Sequence, residues 1–157
     1  RVLAARTSDV PVLLKIAPDL VAAEREDIAG VVCTSGVDGL IVSNTTIARE
    51  GLVTGRHAGE TGGLSGKPLM DKATEILGDM YRLTKGQVPI VGVGGVASGS
   101  DAYRKIRAGA SLVQLYSALT FKGPALVDQL KIDLSGLLAR DGFASLSDAV
   151  GADIDLT

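Results

Sequence analysis

The stretch that decides the interpretation of this chain is Pro89-Ile90-Val91-Gly92-Val93-Gly94-Gly95-Val96-Ala97-Ser98-Gly99-Ser100-Asp101. A short apolar run rich in β-branched residues turns abruptly into glycines, and Ser100 and Asp101 are typical of a helix start. The stretch therefore predicts a strand, a tight turn and a helix. Glycines allow a ligand close to the backbone, and free N–H groups beside a helix start suit an anion such as phosphate. By itself the pattern is equally compatible with an ordinary turn whose glycines serve sterics alone.

The composition indicates a globular protein with room for a sizeable core. Of the 157 residues, 46% are hydrophobic and only 22% are charged. The formal charge is −2, so no basic field is present to hold nucleic acid. The apolar runs are far shorter than the roughly 20 residues that span a bilayer. Any membrane contact must then come from elsewhere.

Two single residues carry weak signals. Cys33 follows Val31 and Val32 and is predicted to be a small buried hydrophobe, and a lone cysteine excludes an internal disulfide framework. His57 lies in a polar loop between Gly55 and Gly59. We expect its ring to be solvated, with a ligand contact as the alternative.

Strands and helices alternate four times along the chain. Strands are predicted at residues 12–16, 39–43, 90–93 and 112–116, and helices at 22–35, from Pro68 to before Gly86, at 100–108 and at 125–140. A short helical turn is expected within 117–124, and residues 143–157 are expected to form a short appendage. Such alternation predicts a parallel sheet with right-handed crossovers.

Four βα units amount to half of a (β/α)₈ barrel, which has about 250 residues. A freestanding half would leave two sheet edges and a large apolar surface open. We therefore expect residues 1–157 to be a single partial domain, the C-terminal half of a TIM barrel. The N-terminal half of the same barrel, or a partner, would supply the rest. A small, open, doubly wound sheet is the alternative.

Ligands of such folds bind at the carboxyl ends of the strands. The predicted strands end on Lys15, on Ser43 to Thr46, on Gly94-Gly95 and on Tyr116-Ser117, and Ser65-Gly66 closes the long loop at 47–66. The last two strands of a barrel often form a phosphate site with an extra helix N-terminus, so phosphate binding is the favoured interpretation. Lys15 is expected at the barrel mouth, unless it is merely a solvated lysine. Asn44, Thr45 and Thr46 suit recognition, because none is a base strong enough for proton transfer.

Five segments in order resemble the class 2 dihydroorotate dehydrogenases. They are Leu14-Lys15-Ile16-Ala17-Pro18-Asp19-Leu20, Ser43-Asn44-Thr45-Thr46, Glu60-Thr61-Gly62-Gly63-Leu64-Ser65-Gly66-Lys67-Pro68-Leu69, Gly92-Val93-Gly94-Gly95-Val96 and Ile106-Arg107-Ala108-Gly109-Ala110-Ser111-Leu112-Val113-Gln114-Leu115-Tyr116-Ser117-Ala118-Leu119. Gly151-Ala152-Asp153 near the end is also similar to the family. The resemblance spans nearly the whole chain.

The resemblance implies an enzyme with flavin mononucleotide (FMN) that oxidises dihydroorotate to orotate in pyrimidine synthesis and passes the electrons to a quinone. Lys15 and Ser43 would contact the flavin, where the cation of Lys15 favours negative charge on the ring. Asn44 and Thr45 would bind the substrate's ring and carboxylate. The phosphate and ribityl chain would be held by Gly66, Gly94, Gly95, Tyr116 and Ser117. The wall of the family's quinone tunnel would be formed by Tyr116, Leu119, Thr120 and Pro124.

The departures from the family are omissions. The family's catalytic serine base lies on a mobile loop in the first half of the barrel, and no position here matches it. The first four strands and the membrane-docking helices also have no counterpart, so we expect this chain to be one segment of a longer polypeptide. The family implies the mitochondrial inner membrane or, alternatively, a bacterial inner membrane. The rivals are a non-redox phosphate-binding barrel enzyme and a non-catalytic half-barrel that acts as an interaction module.

Overall fold

The fold is built on a four-stranded parallel sheet. The structure is a computed structural model that describes residues 9–49 and 59–157. Its strands are β1 (Leu13–Ile16), β2 (Gly39–Val42), β3 (Ile90–Val93) and β4 (Leu112–Gln114), in the spatial order β1-β2-β3-β4. All three pairings are parallel, so the carboxyl ends of the four strands share one edge.

Helices fill each connection between strands. They are α1 (Ala22–Ser35), α2 (Met70–Leu83), α3 (Gly99–Arg107), α4 (Ser117–Lys122), α5 (Ala125–Arg140) and α6 (Leu146–Ala149), with a 3₁₀ turn at Lys67–Leu69 before α2. The bounds of α1, β3 and α5 agree with the prediction, and the ends of β1, β2, α3 and β4 differ from it by one or two residues. Sequential strand order with crossovers of one hand keeps the helices on one face, whereas a doubly wound sheet requires the order to reverse. The strand order therefore argues against the doubly wound alternative.

The main core lies between the middle strands and α2. Apolar side chains of β2 and β3 pack against the apolar face of α2. The side chains at this contact that are fully excluded from solvent are Leu40, Val42, Leu77, Met80 and Ile90. The predicted leucine stripe of α5 also packs inward. Leu126 and Leu130 are buried, and Leu134, Leu137 and Leu138 are partly buried against α3 and α6.

The two edge strands leave apolar side chains in solvent. Leu13 and Leu14 on β1 are each 39% exposed, and Leu112 on β4 is 66% exposed. Such edges are where the half-barrel interpretation expects further chain to pack. That expectation about the rest of the barrel stays a prediction.

Cys33 does not lie in the core, so the prediction of a buried thiol is wrong. The inward face of α1 is formed by Ala29 and Val32, and the next position along a helix is turned by about 100°. Cys33 therefore falls on the outer surface and is exposed. The other single residue, His57, lies outside the described residues.

The C-terminal segment is packed more closely than an appendage would be. Ala149 of α6 is fully buried, and the Gly151 N–H donates to the Ile106 carbonyl at 3.0 Å. The ring of Tyr81 on α2 lies directly against the backbone of Gly109 and Gly151, where a Cβ would overlap it. The segment is thus part of the helical layer. No helix within residues 9–49 and 59–157 is long and apolar enough to cross a membrane.

Candidate cofactor site at the carboxyl edge of the sheet

One cavity of about 590 Å³ opens at the carboxyl edge of the sheet. Every residue predicted for the flavin and the substrate lines it: Lys15, Ser43, Asn44, Thr45, Gly66, Gly94, Gly95, Tyr116 and Ser117. The topology brings them together because each lies at or just after the carboxyl end of a strand or closes the long loop after β2. The remaining predicted residues of the quinone wall lie elsewhere. Leu119 is half-buried in α4, and Thr120 and Pro124 are exposed beyond the cavity lining.

Gly94 and Gly95 form the turn after β3 with φ angles of 106° and 78°. A Cβ on Gly95 would lie 2.5 Å from the Cα of Met70, so the turn also packs against the start of α2. Glycine is therefore required there by the protein's own packing as well as by the backbone conformation. Within the described residues, the N–H groups of Gly94 and Gly95 have no hydrogen-bond acceptor. Two unsatisfied donors in a cavity wall are suited to an anionic ligand.

The start of α3 does not line this cavity, although the sequence predicts an anion beside it. The helix begins at Gly99 rather than Ser100, and the Asp101 N–H in its first turn donates to the Ser98 hydroxyl at 3.2 Å. The Asp101 carboxylate also accepts from the Ala97 N–H at 3.1 Å. The short helix that does border the cavity is α4, which begins at Ser117.

The segment 62–66 closes one side of the cavity. Thr46 and Leu64 exchange two backbone hydrogen bonds, of 3.1 and 2.8 Å, and this bridge ties the end of the long loop to the segment after β2. The hydroxyls of Ser65 and Ser117 lie 2.9 Å apart. The long loop thus ends in direct contact with the residues that follow β4.

The charge of the cavity wall is positive. Its lining includes Lys15, Lys67 and Lys122, and no Asp or Glu is among the described lining residues. The Lys122 ammonium donates to the Ala97 carbonyl at 2.9 Å, which links α4 to the turn after β3. Three cations without a facing carboxylate favour an anionic ligand.

Sequence reasoning missed several of these lining residues. Lys67 directly follows the predicted Gly66, and Gln114 is a polar residue inside a strand pattern. Both residues could therefore have been predicted from the sequence to line the cavity. Lys122 and Phe121 come into the cavity only because α4 folds back over the sheet edge, and neither gave a signal of its own.

Asn44 and Thr45 lie exposed at the end of β2. The Asn44 N–H donates to the Ile16 carbonyl at 2.8 Å, and its side-chain oxygen accepts from the Thr45 N–H at 2.9 Å. Ser43 beside them is buried, with its hydroxyl donating to the Asn44 carbonyl. These groups can recognise a polar ligand. The described lining contains no carboxylate or histidine that could serve as an acid or base.

Fold and site together define a class: α/β barrel proteins with a cavity at the carboxyl edge of the sheet that is suited to an anionic ligand. The chain belongs to the dihydroorotate dehydrogenase family, since the family model "Dihydroorotate dehydrogenase" matches residues 2–138.

Named relatives agree with this assignment. The dihydroorotate dehydrogenase (quinone) of the bacterium Parvibaculum lavamentivorans is 67% identical over 156 residues, which cover 99% of this chain and 45% of that protein. The mitochondrial dihydroorotate dehydrogenase (quinone) of Mus musculus is 56% identical over 142 residues, covering 90% of this chain and 36% of that protein. The chain thus spans less than half the length of the relatives it matches.

Solved structures agree as well. The ligand-free dihydroorotate dehydrogenase of Eimeria tenella superposes with a TM-score of 0.87 at 45% identity, over 90% of this chain and 39% of that one. The complex of the Eimeria tenella enzyme with ferulenol gives 0.88 at 44% identity, over 94% and 40%. The predicted fold class, four βα units of a larger barrel, is confirmed.

Proposed function

We propose that this chain forms the FMN phosphate site and part of the substrate site of a quinone-linked dihydroorotate dehydrogenase. The reaction is the oxidation of dihydroorotate to orotate in pyrimidine synthesis, with a quinone as the electron acceptor. The observation that carries the proposal is the cavity at the carboxyl edge, where glycine turns and three lysines surround a space of about 590 Å³. Relatives named for this activity share up to 67% identity with the chain.

The residues present fit FMN. The cavity volume lies in the range of small-molecule sites, about 300–1,000 Å³. The acceptor-free N–H groups of Gly94 and Gly95 suit a phosphate, and Gly66, Tyr116 and Ser117 border the same space. The wall without carboxylates avoids repulsion of an anionic cofactor. When bound, the flavin would supply the acceptor for a hydride and the relay of electrons to the quinone.

The protein groups would bind and orient. Lys15 and Ser43 would contact the flavin ring, with the ammonium of Lys15 favouring negative charge on it. Asn44 and Thr45 would hydrogen-bond the ring and carboxylate of dihydroorotate. Both are exposed in the cavity wall, and the Asn44 backbone is fixed to β1, so they can hold a substrate without large movement.

The quinone side of the site is proposed at α4. Tyr116 is 81% exposed, and with Leu119, Thr120 and Pro124 it would form one wall of the quinone path. The other wall, the catalytic serine base and the membrane contact would come from the N-terminal half of the same barrel and the helices before it. In this proposal residues 1–157 are the C-terminal half of one barrel domain.

The proposed location is an inner membrane. The relatives named mitochondrial in Mus musculus and Arabidopsis thaliana, each 56% identical, support a mitochondrial location. The 67% identity with the Parvibaculum lavamentivorans protein supports the bacterial alternative.

The visible spectrum of the full-length protein tests the proposal. We expect flavin absorption that dihydroorotate bleaches in the absence of oxygen and that a quinone restores, while orotate, as a control, leaves the absorption unbleached. A colourless protein would instead favour the non-catalytic module. Flavin that dihydroorotate fails to bleach would show that the substrate is different.

A further inference from the structure

A polar network outside the cavity holds the segment that carries Asn44 and Thr45. The next residue, Thr46, is 3% exposed, and its hydroxyl donates to Oδ1 of Asp19 at 2.5 Å. The Ile47 N–H donates to Oδ2 of the same carboxylate at 3.0 Å. Asp19 follows β1, so one carboxylate connects the ends of two neighbouring strands.

Lys72 of α2 completes the network. Its ammonium lies 2.5 Å from Oδ1 of Asp19 and 3.4 Å from the Thr46 hydroxyl. Burial raises the pKa of Asp19, but hydrogen bonds from Lys72, Thr46 and Ile47 outweigh it and hold that pKa below its usual 3.8. The carboxylate is therefore ionised, and accepts hydrogen bonds, at every pH at which an enzyme is normally assayed. The side chains of Asp19, Thr46 and Lys72 do not line the cavity.

Other contacts hold the part of this segment that precedes Ile47. The Thr46 backbone is fixed by its bridge to Leu64, and Gly63 leaves room for the Thr45 hydroxyl where a Cβ would overlap it. After Thr46 the Ile47 N–H donates to the Asp19 carboxylate and the Ala48 N–H donates to the Thr46 hydroxyl at 3.0 Å, while the Arg49 guanidinium donates to the Thr46 and Ala48 carbonyls, each at 3.1 Å. Removing the carboxylate would leave two partly buried donors, the Thr46 hydroxyl and the Lys72 ammonium, without this acceptor.

We propose that Asp19 and Lys72 are positioning residues that fix Asn44 and Thr45 in the orientation that binds substrate. The inference rests on the proposed function, in which these two residues contact dihydroorotate. Asp19 acts through Thr46 and touches neither substrate nor flavin. Lys72 keeps the carboxylate paired and in place. Without the pair, segment 44–48 would sample several conformations, and the substrate would find its hydrogen-bond partners misplaced.

The test is Asp19→Asn in the full-length, flavin-loaded enzyme. An amide keeps the shape of the carboxylate but loses its charge, and it cannot accept from Lys72, Thr46 and Ile47 together. We expect KM for dihydroorotate to rise about 10- to 100-fold, with a smaller change in kcat and with unchanged FMN content. Lys72→Met should shift KM in the same direction. The matched control is Asp128→Asn, which breaks an exposed aspartate–lysine pair of 2.8 Å on α5 and should leave KM unchanged.

The outcomes distinguish a positioning role of Asp19 from a general contribution to stability or flavin binding. Loss of flavin or of thermal stability in Asp19→Asn, with KM unchanged in the molecules that retain flavin, would overturn the inference. Should Asp19→Asn fail to fold, Thr46→Val removes only the hydroxyl that links Asp19 to the segment, and an unchanged KM in that variant would overturn it equally.

Failure of the proposed function has a different signature. It would appear in the unsubstituted protein, as a lack of flavin or of dihydroorotate oxidation. Amide hydrogen exchange at residues 44–48 then still tests whether Asp19 anchors this segment. Exchange that is equally slow in Asp19→Asn and in the unsubstituted protein would contradict the anchoring of this segment by Asp19.

Discussion

The hydroxyls of Ser65 and Ser117 lie 2.9 Å apart, although 52 residues separate them along the chain. The first ends the long loop after β2, and the second begins α4 after β4. Their contact bridges the mouth of the cavity across β3, whose glycine turn lies between them in the sheet order. A change on either side is therefore expected to affect the other.

Gly95→Ala should destabilise the protein by about 2–4 kcal/mol, because it combines a strained φ with an overlap. The new Cβ would lie 2.5 Å from the Met70 Cα, and neither backbone can move away without disturbing α2. Chemical denaturation measures the loss. The control is Gly136→Ala in α5, where a Cβ meets nothing within 4 Å; it should stabilise by about 0.5–1 kcal/mol. Similar effects of the two substitutions would contradict the packing argument.

Lys15→Ala should weaken FMN binding or slow reduction of the flavin by dihydroorotate, by about tenfold or more. The reason is the loss of a cation at the proposed position of the flavin ring. Flavin fluorescence titration and rapid-mixing absorbance measure the two quantities. Lys131→Ala on the outside of α5 serves as the control for loss of a lysine. Unchanged behaviour of Lys15→Ala in both assays would remove Lys15 from the proposed site.

Tyr116→Ala should impair the quinone half-reaction more than the oxidation of dihydroorotate. Its ring is 81% exposed at the cavity mouth, on the side of α4 proposed to face the quinone. The two half-reactions can be followed separately by reducing the flavin with dihydroorotate and then reoxidising it with a quinone. An equal loss in both would indicate general damage to the flavin site.

Lys105→Met should alter how stability depends on pH. Lys105 on α3 is fully buried, and its ammonium donates to the Thr74 hydroxyl at 2.9 Å. Burial, together with the charge of Arg104, lowers the pKa of Lys105 from 10.5 to about 8, although Asp101 and Asp71 oppose the shift. At pH values between about 8 and 10.5 the unfolded chain binds more protons than the folded one, so Lys105 makes stability rise with pH.

Denaturation of both proteins from pH 7 to 10.5 provides the measurement for Lys105. We expect the free energy of unfolding of the Lys105→Met variant, relative to the unsubstituted protein, to be highest near pH 7 and to fall steadily above pH 8. Lys131→Met, which replaces an exposed lysine, should show no such trend. A pH-independent difference for Lys105→Met would mean that the buried lysine does not titrate in this range.

Much of the fold follows from local patterns in the sequence. The helix predicted at 22–35 is found at Ala22–Ser35, and Gly36 ends it with a φ of 76°, as expected for a residue just past a helix. The regular β-α alternation sets the sheet order, and parallel strands place their carboxyl ends together. Eight of the nine residues predicted for the cavity could therefore be assembled from strand ends, and the ninth, Gly66, from the close of the long loop.

The features that could not be predicted from the sequence depend on contacts between distant segments. Cys33 and Val32 are both apolar neighbours in the chain, and only the rotation of α1 against the sheet decides which one is buried. Lys122 enters the cavity through the fold-back of α4. The docking of residues 143–157 depends on the space that Gly109 leaves beside Tyr81, which no local pattern reveals. The Asp19–Lys72 pair spans 53 residues for the same reason.

The packing of Tyr81 against Gly109 and Gly151 has a practical consequence for spectroscopy. The chain has three tyrosines and no tryptophan. Tyr81 lies beneath the C-terminal segment, Tyr103 is buried with its hydroxyl donating to Asp141, and Tyr116 lies in solvent at the cavity mouth. Each ring thus occupies a distinct optical environment, and isotope-labelled tyrosine would give three separate reporters, one of them on the attachment of the chain's last residues.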